Sequence, residues 1–176
     1  MGGTGQSATF DNFAIGNLSG DLVFADPSTA TLNFNNTTAN AGTNNLLDAT
    51  AGSAITLNAS ASALTGAIRT DAASTTNVNL TNGATWNLTA PSTVTNLNVT
   101  HSIIVFAPPG SGGGFKTLTV NNYAGNGANI TMNVALGGSN SAGDQIIING
   151  GKATGSTLLT INNVGGLGGQ PLALQP

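Results

Sequence analysis

The chain has 176 residues and a formal net charge of −3, with only 5% charged residues and no cysteine. Its three cations, Arg69, Lys116 and Lys152, are too few for the basic surface that nucleic acid requires, and no disulfide or thiolate site can form. A hydrophobic content of 39% with so little net charge favours a folded chain over a disordered one.

The composition also predicts an all-β protein. Glutamate is absent, and lysine, arginine and methionine, which favour exposed helix faces, are nearly absent. Thr, Val and Ile suit strands, whereas the 25 glycines and many asparagines suit tight turns.

One short pattern recurs along the chain: an apolar residue, a polar Thr or Asn, and a second apolar residue. This alternation places the apolar pair on one face of a half-buried strand. Weaker strands are predicted at 46–47, 67–68 and 103–106. The pattern occurs at 32–34, 55–57, 78–80, 86–88, 97–99, 118–120, 130–132 and 159–161, with the related triplet Ile-Ile-Ile at 146–148.

The spacing of the pattern predicts a solenoid. Leu32, Ile55, Val78, Leu97 and Leu118 follow one another at steps of about 20 residues, which is one coil of a right-handed, single-stranded parallel β-helix. A sandwich or antiparallel barrel is the alternative. The parallel β-helix is favoured because Asn and Thr at outward positions can stack as ladders on successive coils.

The segment 107–115, Ala-Pro-Pro-Gly-Ser-Gly-Gly-Gly-Phe, is predicted to be a loop that leaves one coil. Prolines cannot donate to a sheet ladder, and the glycines permit many backbone paths. We interpret the loop as an excursion from a continuous stack and not as a domain linker.

An ordered series of motifs from about residue 76 to 169 resembles the C-terminal passenger region of pertactin-like, AIDA-type autotransporters. It begins with Asn82-Gly-Ala-Thr-Trp86-Asn-Leu88 and continues through Val94, Leu97 and Val99. The stretches 115–127, 130–134, 143–155 and 159–163 extend the similarity, whereas residues 1–75 match only in style.

The resemblance implies a β-helical stalk on the bacterial cell surface, secreted by a type V system and supporting adhesion. Residues 1–75 are expected to be upstream coils, and 76–170 the autochaperone coils that nucleate folding. The implied partners are a C-terminal outer-membrane β-barrel, which this chain lacks, and a host-cell surface or a second copy. Residues 171–176 depart from the pattern and are expected to be a tail foreign to it.

We expect no catalytic, cofactor-binding or metal-binding residue and no enzymatic activity. Structural roles in folding are expected for Trp86, Leu88, Val94, Leu97, Val99, Phe115, Leu118, Val120, Gly125, Gly127, Met132, Asp144, Ile146, Ile148 and Gly150.

Three titratable positions offer alternatives to this expectation. Asp21 and Asp26 are five residues apart and are the one candidate carboxylate pair of a polysaccharide-active β-helix enzyme, although a turn role is favoured. Asp144 follows a glycine- and serine-rich run that resembles a calcium-binding repeat, but the repeat occurs once, so a structural turn is favoured. His101 is expected at an exposed strand end.

The remaining candidates also have structural interpretations. Asp11, Asp48 and Asp71 are expected to be solvated turn or cap residues. The run Gly110 to Thr117 has the glycines and lysine of a phosphate loop but lacks its spacing and its strand-loop-helix context. Trp86, Tyr123, Phe106 and Phe115 are expected in the core or in a cap, with a sugar-stacking platform as the alternative.

Three functions therefore remain open from sequence. The favoured function is a structural stalk whose C-terminal coils nucleate folding. The second is a self-associating or glycan-binding module that uses the flat Asn and Thr faces. The third is a polysaccharide-active enzyme.

Overall fold

The fold is known from a computed structural model, which describes residues 5–16, 18–110, 114–137 and 141–168. Those residues form fourteen strands and no helix, so none of them forms an apolar helix long enough to cross a membrane. All the strands belong to one continuous parallel sheet that winds into a β-solenoid of about six turns. The predicted fold class is confirmed.

The chain runs through three faces in a fixed order, here called faces A, B and C, before it starts the next coil. Face A contains β1 (Gln6–Asp11), β4 (Thr29–Asn35), β6 (Ala54–Ser60) and β8 (Thr75–Thr81). Face B contains β2 (Ala14–Ile15), β9 (Thr85–Leu88) and β11 (Ile103–Phe106). Face C contains β3 (Phe24–Ala25) and β13 (Gln145–Ile148).

Five longer strands bend from one face to the next. Face B continues into face C along β5 (Thr38–Ala49) and β7 (Ala63–Thr70), and face C into face A along β10 (Ser92–Thr100). β14 (Ala153–Gly165) covers faces A and B. β12 (Thr117–Ala135) passes through all three faces without interruption.

The core is a column of apolar side chains enclosed by the three faces. Leu32, Leu57, Val78 and Leu97 stack in successive coils of face A and are buried. Alternation at period two sends their neighbours outward, as the sequence predicts. Every buried side-chain nitrogen or oxygen in the described part of the chain has a hydrogen-bond partner.

The register differs in detail from the sequence repeat. Leu32 pairs with Leu57 and not with Ile55, and Leu97 pairs with Tyr123 and not with Leu118, which lies on face C beside Ser92. Ile55 likewise pairs with Thr76 and not with Val78, so the partners implied by the sequence steps were wrong at three of the four steps and right for Val78 and Leu97. The coils differ in length because their corners differ, and periodicity of the strands alone cannot report corner length.

The loop predicted at 107–115 is confirmed for its described residues, since 107–110 and 114–116 contain no strand. The stacking is continuous across the predicted boundary at residue 75, which falls at the start of β8. The division into 1–75 and 76–170 stays a prediction, and the predicted tail, 171–176, lies outside the described residues.

Candidate functional site

The residues with expected structural roles lie in or beside the core of the C-terminal coils. Met132, Ile146 and Ile148 are half-buried and pack against the core, and Phe115, the last residue of the loop, is half-buried. Gly125 is buried. Gly127, within β12, and Gly150, after β13, are exposed and have positive φ. The fully enclosed side chains are those of Trp86, Leu88, Val94, Leu97, Val99, Leu118 and Val120.

Trp86 fills the core at the level of β9. Its side chain is 0% exposed, and its Nε1–H donates to the carbonyl oxygen of Gly66 in the preceding coil at 2.9 Å. Gly66 has a φ of +141°, and a Cβ there would lie 3.0 Å from the backbone nitrogen of Leu46. The glycine therefore permits β7 to lie close against the backbone of β5 in the coil before it. Trp86 and Phe106 are core residues, as expected.

Gly125 and Tyr123 show how tightly β12 and β14 pack. A Cβ on Gly125 would lie 2.9 Å from the Tyr123 hydroxyl and would collide with the Thr157 Oγ1. The Tyr123 hydroxyl and the Thr157 Oγ1 form a 2.7 Å hydrogen bond, and burial raises the pKa of Tyr123 despite this bond. Tyr123 is half-buried and packs against the core, so it belongs mainly to the structure of the coils.

A column of left-handed residues forms the corner between faces A and B. These residues follow the face A strands in six successive coils, and sequence inspection did not identify the column. His101 belongs to it and is exposed directly after β10, so the expected strand-end position is confirmed. A Cβ on Gly127 would lie 2.9 Å from the His101 Cδ2, which shows that the corners stack. The column consists of Asn12, Asn36, Ala61, Asn82, His101 and Gly127.

The outward side of face A carries asparagine ladders. Asn98 donates through Nδ2 to the Oδ1 of Asn79 at 2.8 Å, Asn79 donates to Asn58 at 2.8 Å, and the series continues to Asn33. A parallel ladder joins Asn122, Asn96 and Asn77 at 2.9 and 2.7 Å. The ladders are uncharged and all their amides point the same way along the axis. The predicted Asn ladders are therefore present.

The aspartates mostly receive hydrogen bonds from a neighbouring coil. Asp21 accepts the backbone N–H of Asn45 at 2.9 Å and its Nδ2–H at 3.2 Å. Asp11 accepts from the Asn35 side chain. Asp71 lies between β7 and β8 and is half-buried. It accepts the backbone N–H groups of 51 and 73, and a hydrogen bond from Ser74 is the largest cause of its lowered pKa.

The position of Asp48 differs from the one expected. It was expected to be a solvated turn residue, but it lies within β5, is 6% exposed, and is paired with the Arg69 guanidinium at 3.0 Å. The two residues are register partners on face C, so stacking brings them together. Asp26 is an exposed turn residue beside β3.

Lys116, Asn133 and Asp144 form a buried polar cluster at the loop, and sequence analysis missed two of the three. Asp144 is 8% exposed and immediately precedes β13, so its role exceeds that of a simple turn residue. The Lys116 ammonium, which superficially resembled a phosphate-loop lysine, donates instead to the carbonyl oxygen of Ala107 at 2.7 Å. A lysine and an asparagine beside strand ends carry no signal of burial in one sequence. Within the described ranges, no three His, Cys, Asp or Glu residues cluster so as to hold a metal ion.

These features define a parallel β-solenoid with an apolar core, ladder-bearing faces and stacked corners. Residues 92–172 match the family model described as Autochaperone Domain Type 1. The chain is also 39% identical over 88 residues to the probable autotransporter YcgV of Escherichia coli (strain K12). That match covers 48% of this chain and 9% of the relative. The resemblance to the C-terminal autochaperone region of an autotransporter passenger is thereby confirmed.

Proposed function

We propose that residues 92–168 fold first and act as the template on which the upstream coils of a type V secreted passenger stalk stack. One observation carries the proposal: β12 is an unbroken 19-residue strand that lines all three faces. A strand of this kind offers hydrogen-bonding partners on all three faces to the next coil. In a stack where each coil contacts only its neighbours, folding propagates outward from such a unit.

β12 is paired on both of its edges. Its upstream edge pairs with β10 and β11, and its downstream edge pairs with β13 and β14. The core at this level is well enclosed, since Leu118 and Val120 are at most 1% exposed. The match to an autochaperone family model supports the same assignment.

Pulse-labelling hydrogen exchange during refolding of the whole chain tests the order of folding. The amides of β12 should become protected before those of β4 and β6. Simultaneous protection, or earlier protection of β4 and β6, would contradict the proposal.

Leu118→Ala and Leu57→Ala provide matched variants for the same test. Both side chains are 1% exposed strand leucines, and truncation of each should destabilise the protein by about 2–5 kcal/mol. Leu118→Ala should mainly slow refolding, whereas Leu57→Ala should mainly accelerate unfolding. The opposite partition of the two rate constants would refute an early C-terminal template.

The autotransporter relationship implies secretion to the cell surface and a C-terminal β-barrel in the full protein. Within that setting we assign the chain a structural role with no reaction of its own. Adhesion, release from the surface and contact with host cells belong to the proposal for the whole protein, of which the matched segment is a small part.

A second candidate function is glycan binding on face A. A shallow groove of about 440 Å³ lies over the asparagine ladders, bounded by Asn96, Asn98, Tyr123 and Lys152. Each ladder amide uses one N–H within the ladder, which leaves its second N–H for the hydroxyl groups of a sugar. Self-association through the same uncharged face is the other outcome, and it would be insensitive to salt.

A glycan array with the whole chain, followed by ultracentrifugation, distinguishes these outcomes. Asn98→Ala should abolish binding of a glycan that the parent chain retains. Asn33→Ala, in the same ladder but away from the groove, is the matched control and should leave binding unchanged. If no glycan is retained, or if both variants behave alike, the groove has no such role.

A further inference from the structure

Three side chains from separate segments meet in the interior beside the excursion loop, and we call Asp144, Asn133 and Lys116 the polar clasp. Their exposed fractions are 8%, 2% and 6%. They belong to the turn before β13, the end of β12 and the residue before β12. Burial of polar and charged groups is unfavourable without compensating hydrogen bonds, so a carboxylate, an amide and an ammonium buried together require an explanation.

The Asp144 carboxylate is fully engaged by donors from two segments. Its Oδ1 accepts the backbone N–H of Lys116 at 2.7 Å. Its Oδ2 accepts the backbone N–H of Asn133 at 2.7 Å and the Asn133 Nδ2–H at 2.8 Å. Asp144 also donates its own backbone N–H to the carbonyl of Asn133 at 2.8 Å. One carboxylate thus ties the start of β12 and the end of β12 to the start of β13.

The other two members extend the clasp to the preceding coil. Asn133 Nδ2 donates to the carbonyl oxygen of Phe106, at the end of β11, at 2.9 Å. Lys116 Nζ donates to the carbonyl oxygen of Ala107 at 2.7 Å, which closes the excursion loop at its base. The clasp therefore connects three successive levels of the solenoid.

Hydrophobic packing alone leaves the register of these coils ambiguous. β13 presents Ile146, Ile147 and Ile148 to a β12 segment of the form Leu-Thr-Val, with Ile146 beside Leu118. A slip by one residue would exchange the core and solvent faces, but a slip by two residues keeps the alternation and still buries an isoleucine. Only a side chain that differs from its neighbours can exclude the two-residue slip.

We propose that the polar clasp is the register lock of the C-terminal coils. In the native register Asp144 meets the N–H groups of Lys116 and Asn133. A two-residue slip would move the buried carboxylate away from these donors, and a buried charge without partners is strongly unfavourable. Buried polar groups that specify register at some expense of stability are known from coiled coils.

The register lock rests on the proposed template function, because a template passes its own register on to the coils that stack on it later. The two ideas remain separately testable. The register is measured at equilibrium, and it can be locked whichever coils fold first.

Pairs of introduced cysteines measure the register directly, since the chain contains no cysteine of its own. Thr119 and Ile147 are native-register partners whose side chains are not in the buried core. The pair Thr119→Cys with Ile147→Cys reports the native register, and Thr119→Cys with Asn149→Cys reports a two-residue slip. A disulfide requires Cα atoms within about 7 Å, so the second pair closes only after the slip.

Asp144→Asn is the decisive substitution, since the amide keeps the shape but presents an NH₂ group to N–H donors. Disulfide formation by the slip-reporting pair should rise roughly tenfold or more in this variant, because hydrogen bonds to a charged group are lost. Asp21→Asn is the matched control: Asp21 also accepts the backbone and side-chain N–H of one asparagine, but it is exposed. It should leave both reporter pairs unchanged.

If Asp144→Asn fails to fold, Asn133→Ala takes its place, because it removes one donor to the carboxylate and retains the backbone N–H. A rise in the slip-reporting disulfide in either variant supports the lock. If the folded variants form only the native-register disulfide, hydrophobic packing suffices to set the register and the proposal is wrong.

Discussion

Replacement of Trp86 by alanine should be among the most destabilising single changes in this chain. The side chain is wholly buried, and truncation of a buried tryptophan costs about 3–5 kcal/mol through lost transfer energy and a residual cavity. Loss of the indole N–H also leaves the Gly66 carbonyl oxygen without that donor. Each coil contacts only the coils above and below it, so little repacking can offset the loss.

Trp86→Phe separates the two contributions. It retains most of the apolar contact and removes the hydrogen bond, so it should cost about 1–3 kcal/mol. Urea unfolding followed by circular dichroism measures both variants, because the chain loses its single tryptophan and its fluorescence. Leu158→Ala is the control, since that side chain is 64% exposed and its loss should change stability by no more than about 0.5 kcal/mol. A cost below about 1 kcal/mol for Trp86→Ala would refute the stacked-core reasoning.

Three further predictions follow from the corners and the titratable residues. Ala61→Gly should stabilise the protein by about 1 kcal/mol in urea unfolding, because alanine at φ 49° is strained, whereas Ala63→Gly in β7 should destabilise it by about 0.5–1 kcal/mol. Tyr123, the single tyrosine, should titrate above 10.0 in absorbance measurements, since burial raises its pKa. The contribution of the neutral Tyr123 phenol to the stability of the fold is then present below pH 10.0 and is lost as pH rises through the folded-state pKa. Tyr123→Phe should remove this loss of stability at alkaline pH. The pKa of Asp71 is lowered in the folded state. The contribution of its carboxylate to the stability of the fold is therefore present above pH 3.8 and is lost as pH falls through the folded-state pKa. The difference in stability between the parent and Asp71→Asn should therefore shrink on acidification from about pH 5 to about pH 2 in urea titrations.

The fold class could be predicted from the sequence because it depends on local pattern. Alternation such as Val78-Asn79-Leu80 identifies a strand and its inner face without knowledge of its partners. Recurrence of that pattern, with Asn at the outward position, predicted the stacked coils and the ladders. The core positions of Trp86 and Leu118 follow from the same alternation.

What the tertiary structure decided was the register and the burial of polar residues. Leu32 lies beside Leu57 and not Ile55 because the length of each corner, which strand periodicity does not report, sets the pairing. Asp48 is buried because Arg69 lies beside it in the next coil, 21 residues away. Asp144, Asn133 and Lys116 meet across separations of 11 and 28 residues. A single sequence states which residues alternate, but only the stack determines which of them touch.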